Sequence, residues 1–354
     1  MSKKRSEVLV QAKPLREVCS QLFRAVGVPR EHADRIADTL VEADLRGVSS
    51  HGSLRMPSYI ARLREGGVNP CPNIRLVVDT PALALIDADH GQGQVAGVKA
   101  MGLAIEKAKK LGMGAAGVRN SFHYGAAAYY AMMALEEDMI GFSTTNTTPN
   151  TLVWGAAKGG VGNNPISYAI PAGEEWPVVL DMAVSVAAWG KVNLAHEEGR
   201  KIPFGWVVDE SGNPIDDPEV AMKEGVALPV GEYKGSGLGI VMDILSGVLT
   251  GANFGLLVPR RAGPSVRYGI GHFFWAMDIK PFMPIDEFKR RMDQMIRDIK
   301  SLPLAKDTER IYLPGEIEYE NKERHLKEGI PLAASTLEGL RKLGEELGVE
   351  VALG

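Results

Sequence analysis

The stretch "AIEKAKKLGMGAAGVRN", residues 104–120, carries the letters of the dinucleotide-phosphate fingerprint GxGxxG at Gly112–Gly117. That fingerprint works only when a strand enters the glycines and a helix opens on them, because the helix N-terminus must face the pyrophosphate. Here the order is reversed. VAGVKAMGLAIEKAKKLG (95–112) has helical apolar spacing, and GAAGVRN (114–120) follows as a strand. An α/β protein is predicted, but not a Rossmann loop at this place.

Working outward, IRLVVDTPALALIDADHGQG (74–93) gives two short strands around Pro81. YGAAAYYAMMALEEDM (124–139) reads as a helix, IGFSTTNTT (140–148) as a strand entering a polar turn, and GHFFWAMDI (271–279) as an aromatic strand. This alternation supports an α/β unit over roughly residues 76–190. PLREVCSQLFRAVGV (14–28) and PREHADRIADTLVEADLRG (29–47) are helical, with Pro29 opening the second. The tail is helical in PIDEFKRRMDQMIRDIKS (284–301) and STLEGLRKLGEELGV (335–349). GIVMDILSGVLTGANFG (239–255) reads as a buried helix. The middle is rich in turns, and no internal repeat or flexible linker stands out.

Composition narrows the function classes. The chain has 354 residues, 45% hydrophobic and 24% charged, with a formal charge of −4, as ordinary soluble globular proteins do. No basic block forms a nucleic-acid track, and no run reaches the roughly 18 apolar residues of a membrane span. The opening MSKKRSEVLVQAKPLREV turns charged again before a signal-peptide core forms. The two cysteines, Cys19 and Cys71, build no disulfide framework. A cytoplasmic protein is expected. No HExxH or compact Cys/His cluster appears, so no metal site is expected either.

Candidate chemistry lies at element boundaries. EYKGSGLG (232–239) sets Lys234 beside Gly235 ahead of an apolar helix; it can cradle an anion, or its glycines can serve close packing. Of the seven histidines, His32, His196 and His325 sit among charges and read as solvent-facing, whereas His51, His90, His123 and His272 adjoin glycines. His123 stands where a strand becomes a small-residue helix that Ser121 could cap. In SSHGSLR (49–55), a helix beginning near Ser50 puts His51 and Arg55 on one face, one turn apart. Imidazole moves protons near neutral pH and guanidinium grips a carboxylate at two points, which suits an acid whose neighbouring carbon changes between carbonyl and alcohol. The alternative is a histidine filling a junction beside a surface arginine.

Eight blocks together carry a resemblance. They are DLRGVSSHGSLRMPSY (44–59), RNSFHYGAAAYYA (119–131), TTNTTPN (144–150), VGNNPISYAIP (161–171), VVLDMAVSVAAWGK (178–191), IPFGWVVDESGNP (202–214), EYKGSGLGIVMDILSGVLTGA (232–252) and GHFFWAMD (271–278). In this order they resemble the malate/L-lactate dehydrogenase family of the sulfolactate and ureidoglycolate dehydrogenase type, across essentially the whole chain.

The resemblance implies a non-Rossmann sulfolactate-dehydrogenase-like α/β fold. A mixed-sheet cofactor domain (76–283) would adjoin a mostly helical domain built from both termini (1–75 and 284–354). It implies NAD or NADP as cofactor and a homodimer or higher even oligomer. The reaction would be reversible hydride exchange with C2 of a small 2-hydroxy or 2-keto acid, malate or L-lactate type, or else reduction of a cyclic imino acid. A non-catalytic binding protein is the rival class.

By the same resemblance His51 is the proton donor with Ser50 as relay, Arg55 holds the substrate carboxylate, and His123 is the alternative acid/base. His123, Tyr124, Gly125, Thr147, Asp181, Met182, Ala183, Lys234, Gly235, His272, Phe273 and Phe274 would contact cofactor. Two departures leave the substrate unnamed: GNNP for GTNP, which puts Asn163 where it can touch substrate, and DMAVS for DMATS, which places Val184 where a hydroxyl is common.

Overall fold

A computed structural model describes residues 7–197, 199–260 and 262–353. The chain opens with strand β1 (Glu7–Val10), then helices α1 (Ala12–Ala25), α2 (Arg30–Leu45) and α3 (Met56–Glu65). Their apolar faces close on one core that includes Leu15, Leu22, Phe23, Leu40 and Ile60. Between α2 and α3 the expected single helix does not form. Two 3₁₀ turns, Ser49–His51 and Ser53–Arg55, meet at Gly52, whose backbone is extended. The cause is Asp44. Its carboxylate accepts the Ser53 N–H at 2.8 Å, and a Cβ on residue 52 would stand 1.8 Å from Asp44 Oδ1.

The sheet follows in β2 (Arg75–Asp79), β3 (Leu83–Asp87), helix α4 (Gly93–Leu111), β4 (Met113–Ser121), helix α5 (Ala128–Met133) and β5 (Met139–Thr145). The 104–120 stretch is therefore a helix C-terminus, not an N-terminus. Gly112 ends α4 with φ 85°, and Gly114 lets β4 approach α4, since a Cβ there would meet Ala104 O at 2.3 Å. A helix C-terminus presents carbonyls and repels phosphate.

Short strands β6 (Thr151–Leu152) and β7 (Gly159–Val161) precede β8 (Ile166–Ile170) and β9 (Val178–Met182). A small subsheet then collects helix α6 (Trp189–Glu197), β10 (Val207–Val208), β11 (Pro214–Ile215), helix α7 (Pro218–Glu224) and β12 (Val226–Ala227), in strand order β11-β10-β12-β6-β7. Helix α8 (Tyr233–Asp243) runs on through a π turn to Val248. It is not the buried helix its composition predicts: Leu238, Val241, Ile244, Val248 and Leu249 are exposed, Leu249 at 61%.

Strand β13 (Ile270–Asp278) returns to the centre of the main sheet, whose order is β2-β3-β4-β13-β5-β8-β9. Only β3–β4 pairs in parallel among its described strands, across the α4 crossover; the other neighbours are antiparallel. A late, antiparallel central strand separates this mixed sheet from a doubly wound one.

The chain ends in helices α9 (Ile285–Lys300) and α10 (Glu316–Glu328), strand β14 (Ile330–Ala333) and helix α11 (Ala334–Leu347). β14 pairs with β1, and Leu337, Leu340 and Leu343 join the N-terminal core. Helix α9 departs from the expected grouping with the N-terminal helices. Met292 and Ile296 pack on Ala172 beside β8, and the Asp293 carboxylate accepts the N–H groups of Gly173, Glu174 and Glu175. No helix among the described residues is long and apolar enough to cross a membrane.

Candidate active site

The end of α2, the paired 3₁₀ turns and α3 face the ends of β5 and β9 and the first residues of α5 across a cavity of about 870 Å³. Ser50, His51, Arg55, His123, Gly125, Thr147, Asn163, Asp181, Met182 and Ala183 all line it, so ten of the expected residues meet in one space. Helix α6 roofs the His51 end, where a Cβ at Gly190 would stand 3.0 Å from Ser50 Cβ.

His51 and His123 stack with ring centroids 5.5 Å apart and an interplanar angle of 22°. Ser50 Oγ lies 3.0 Å from His51 Nδ1. Arg55 donates from Nε to Ser50 O at 2.6 Å, and its terminal nitrogens find no partner among the described residues. Burial, then the Arg55 charge, pushes the His51 imidazole down to about 4. Burial, Arg55 and His51 hold His123 well below its ordinary value. Both shifts favour the neutral imidazole near pH 7.

Tyr59, four residues after Arg55 on α3, approaches His123 Nδ1 at 2.5 Å. Burial raises its phenol to about 12, so it stays protonated, and its oxygen accepts from Gln94 Nε2 at 3.5 Å. The Tyr59 proton therefore points at Nδ1, which leaves the His123 proton on Nε2.

At the other end, Thr147 donates to Asn163 Oδ1 at 3.0 Å. Asp181 is exposed on the cavity wall. It accepts the Ala128 N–H at 2.9 Å, and its recessed position raises its carboxyl above the usual carboxylate range. Arg46 lies across from it, 4% exposed, its guanidinium 4.7 Å over the Tyr319 ring, with no ion pair to a described carboxylate.

Six expected cofactor contacts do not reach the cavity. Tyr124 is fully buried between Tyr130 and His272, at centroid distances of 4.7 and 4.6 Å. His272 and Phe274 point into the sheet core at 0% exposure, and Phe273 packs beside Phe142 and Val184. Lys234 is exposed on the first turn of α8, outside the cavity wall, and Gly235 is closed against the Val230 backbone. In β13 the side chains alternate between faces, so His272 and Phe274 face the core that Phe273 turns away from. Ser121 caps nothing; its hydroxyl lies 2.8 Å from His272 Nε2. His325, expected in solvent, is buried against Leu45 O at 2.8 Å. Val184 is fully buried, so that departure alters packing rather than the cavity surface.

Sequence reasoning missed Tyr59, Gln94 and Arg46. Tyr59 was within reach, since i+4 from Arg55 shares its face. Arg46 stands next to the helix stop Gly47, and nothing in its spacing marks it. Two imidazoles, the Arg55 guanidinium and the buried Arg46 thus share one cavity. The family model of malate/L-lactate dehydrogenase matches residues 10–341. A malate dehydrogenase of Pyrococcus horikoshii is 42% identical over 93% of each chain, and an L-sulfolactate dehydrogenase of Methanocaldococcus jannaschii is 41% identical over 93% of this chain and 94% of the other. The solved structure of the Pyrococcus enzyme superposes with a TM-score of 0.90 at 39% identity, covering 99% of this chain and 98% of that one. The chain belongs to the malate/L-lactate dehydrogenase family. It is an NAD(P)-dependent oxidoreductase of 2-hydroxy acids.

Proposed function

We propose that this enzyme interconverts a malate-type 2-hydroxy dicarboxylate and its 2-keto acid, with Arg55 holding the C1 carboxylate and His51 moving the proton. The observation that carries this reading is Arg55, whose Nε is fixed on Ser50 O while its terminal nitrogens stay free beside two neutral imidazoles. The cavity exceeds the needs of a four-carbon acid, and Arg46 supplies a buried positive charge of the kind that matches cofactor phosphates. Gly125, Thr147, Asp181, Met182 and Ala183 would hold the cofactor, which when bound supplies the hydride chemistry.

The chain's own residues do the rest. A carboxylate on Arg55 offsets the lesser of the two effects that depress both rings, the Arg55 charge, and so favours the protonated imidazole, while burial, the larger effect, still holds both rings low. His51, braced by Ser50, then gives its proton to the oxygen on C2, or accepts it in reverse. His123, fixed as its Nε2–H form by Tyr59, donates a hydrogen bond. Asn163 lies where it can contact the remote end of the substrate.

The reading extends to the assembly and its setting. The exposed apolar face of α8 supports a two-fold homodimer, the commonest closed symmetry. The N-terminal helices and the strand and helix Ile330–Leu347 share one core, which supports a terminal unit beside the sheet, and two free thiols suit a reducing cytoplasm.

The test is reduction of a 2-keto acid panel with NADH or NADPH, followed at the reduced-cofactor absorbance band. Oxaloacetate should surpass pyruvate in kcat/KM by about tenfold or more, the order expected of one added charged contact. His51→Ala should lose roughly 10²–10⁴-fold in single-turnover rate and the acid limb of the pH profile. If His123→Ala loses that limb and His51→Ala keeps it, the two roles exchange.

A further inference from the structure

We propose that His272 is a positioning residue: it grips both sides of the segment that carries His123 and ties it to the end of β5. This deepens the reading above and rests on it for the role of His123.

The geometry comes from both ring nitrogens and the ring face. His272 lies in β13 at the middle of the sheet, 0% exposed. Its Nε2 is 2.8 Å from Ser121 Oγ and its Nδ1 is 2.7 Å from Thr145 Oγ1. Tyr124 lies flat on its face at 4.6 Å and 8°, and the Tyr124 hydroxyl reaches Ser143 Oγ at 3.1 Å. Ser121 and Tyr124 flank Phe122 and His123 in sequence, so one imidazole holds the residues on either side of them. Thr145, the third partner, lines the cavity two residues before Thr147.

The hydrogen bonds have a direction. Thr145 Oγ1 donates to Gly271 O at 2.9 Å, so its lone pair accepts from His272 Nδ1–H. Nε2 then accepts from the Ser121 hydroxyl at 2.8 Å, a shorter contact than that hydroxyl's 3.4 Å approach to Phe122 O. An apolar residue could fill this place in the core. It could not hold the Ser121 and Thr145 hydroxyls on opposite sides of one rigid ring, and that two-sided hold sets where His123 stands relative to Tyr59 and His51.

The experiment uses three full-length single variants and the His272→Phe/Ser121→Ala double variant. His272→Phe keeps the ring on Tyr124 and loses both hydrogen bonds; His272→Gln restores a polar atom toward Ser121; Ser121→Ala removes the partner. Each is measured for cofactor affinity by nucleotide fluorescence, for kcat and KM with the keto acid, and for the ¹H–¹³C imidazole resonance of His123, assigned by its absence in His123→Ala. We expect His272→Phe to bind cofactor within about threefold of wild type yet lose roughly 10–100-fold in kcat, as misplacement of a reacting group does. His272→Gln should recover much of that loss. The His123 resonance should shift in His272→Phe and Ser121→Ala, and the double variant should be no worse than the poorer single one. An unmoved His123 resonance, or a rise in KM with unchanged kcat, overturns the proposal. The resonance reports position without turnover, so an enzyme that reduces no keto acid would refute the functional reading while leaving this one decided.

Discussion

At Gly52 the missing Cβ decides whether the two 3₁₀ turns can meet. The Asp44 carboxylate occupies the space a side chain would need, and it also anchors Ser53. Gly52→Ala should destabilise the fold by about 3 kcal/mol, the upper range of overpacking costs, and displace His51. Urea unfolding measures the first and turnover the second. Burial lifts the Asp44 carboxyl from 3.8 to about 7. Between those values the folded chain keeps a proton that the unfolded chain releases, so Asp44 makes stability fall as pH rises from about 4 to about 7 and then level off. Asp44→Asn should flatten that slope in urea titrations at pH 5 and pH 7.5, and an unchanged slope would assign the pH dependence elsewhere. That His51 and Arg55 share one cavity was expected from their spacing, but on a single helix that does not form. The two 3₁₀ turns that join them were not, because the reason lies seven residues earlier, in a buried aspartate.

Among the elements, the 104–120 stretch was the most readable, because helix-before-strand order is a local property of the sequence. Its glycines end a helix and admit a close strand contact, and neither Gly112 nor Gly117 faces the cavity. Gly112→Asn, which tolerates the left-handed backbone, should therefore leave cofactor affinity within about twofold, since Asn adopts that conformation at little cost. A large loss in a fluorescence titration would reinstate the phosphate-loop reading. The strand 271–279 was also legible from its aromatic residues, but its place at the centre of the sheet was not. Sequence patterns give elements, while strand order depends on pairings between residues more than a hundred positions apart. For the same reason the burial of His272 in the sheet core was not legible. The helix after Lys234 was misread because apolar composition alone cannot say whether the cover is the same chain or another.

For the molecule as a whole, that exposed face is the strongest argument for assembly. Leu238, Val241, Ile244, Val248 and Leu249 lie along one helix and its π turn. Sedimentation at micromolar concentration should give a dimer, and Val241→Glu with Val248→Glu should shift it to monomer, since buried unpaired charge opposes association. A wild-type monomer would count against the two-fold arrangement. The cavity depends on the whole chain as well. Arg55 and His51 come from the first sixty residues, His123, Thr147 and Asp181 from the sheet, and Glu318 and Gly315 from near the C-terminus. The most direct test of this account is keto-acid saturation of single-turnover reduced-cofactor consumption, comparing wild type with Arg55→Met at saturating cofactor. Loss of a buried carboxylate–guanidinium pair should raise the half-saturating keto-acid concentration roughly 100-fold while cofactor affinity stays near wild type. If Arg55→Met saturates at the wild-type concentration, the carboxylate is held elsewhere and the catalytic arrangement described for this cavity is wrong.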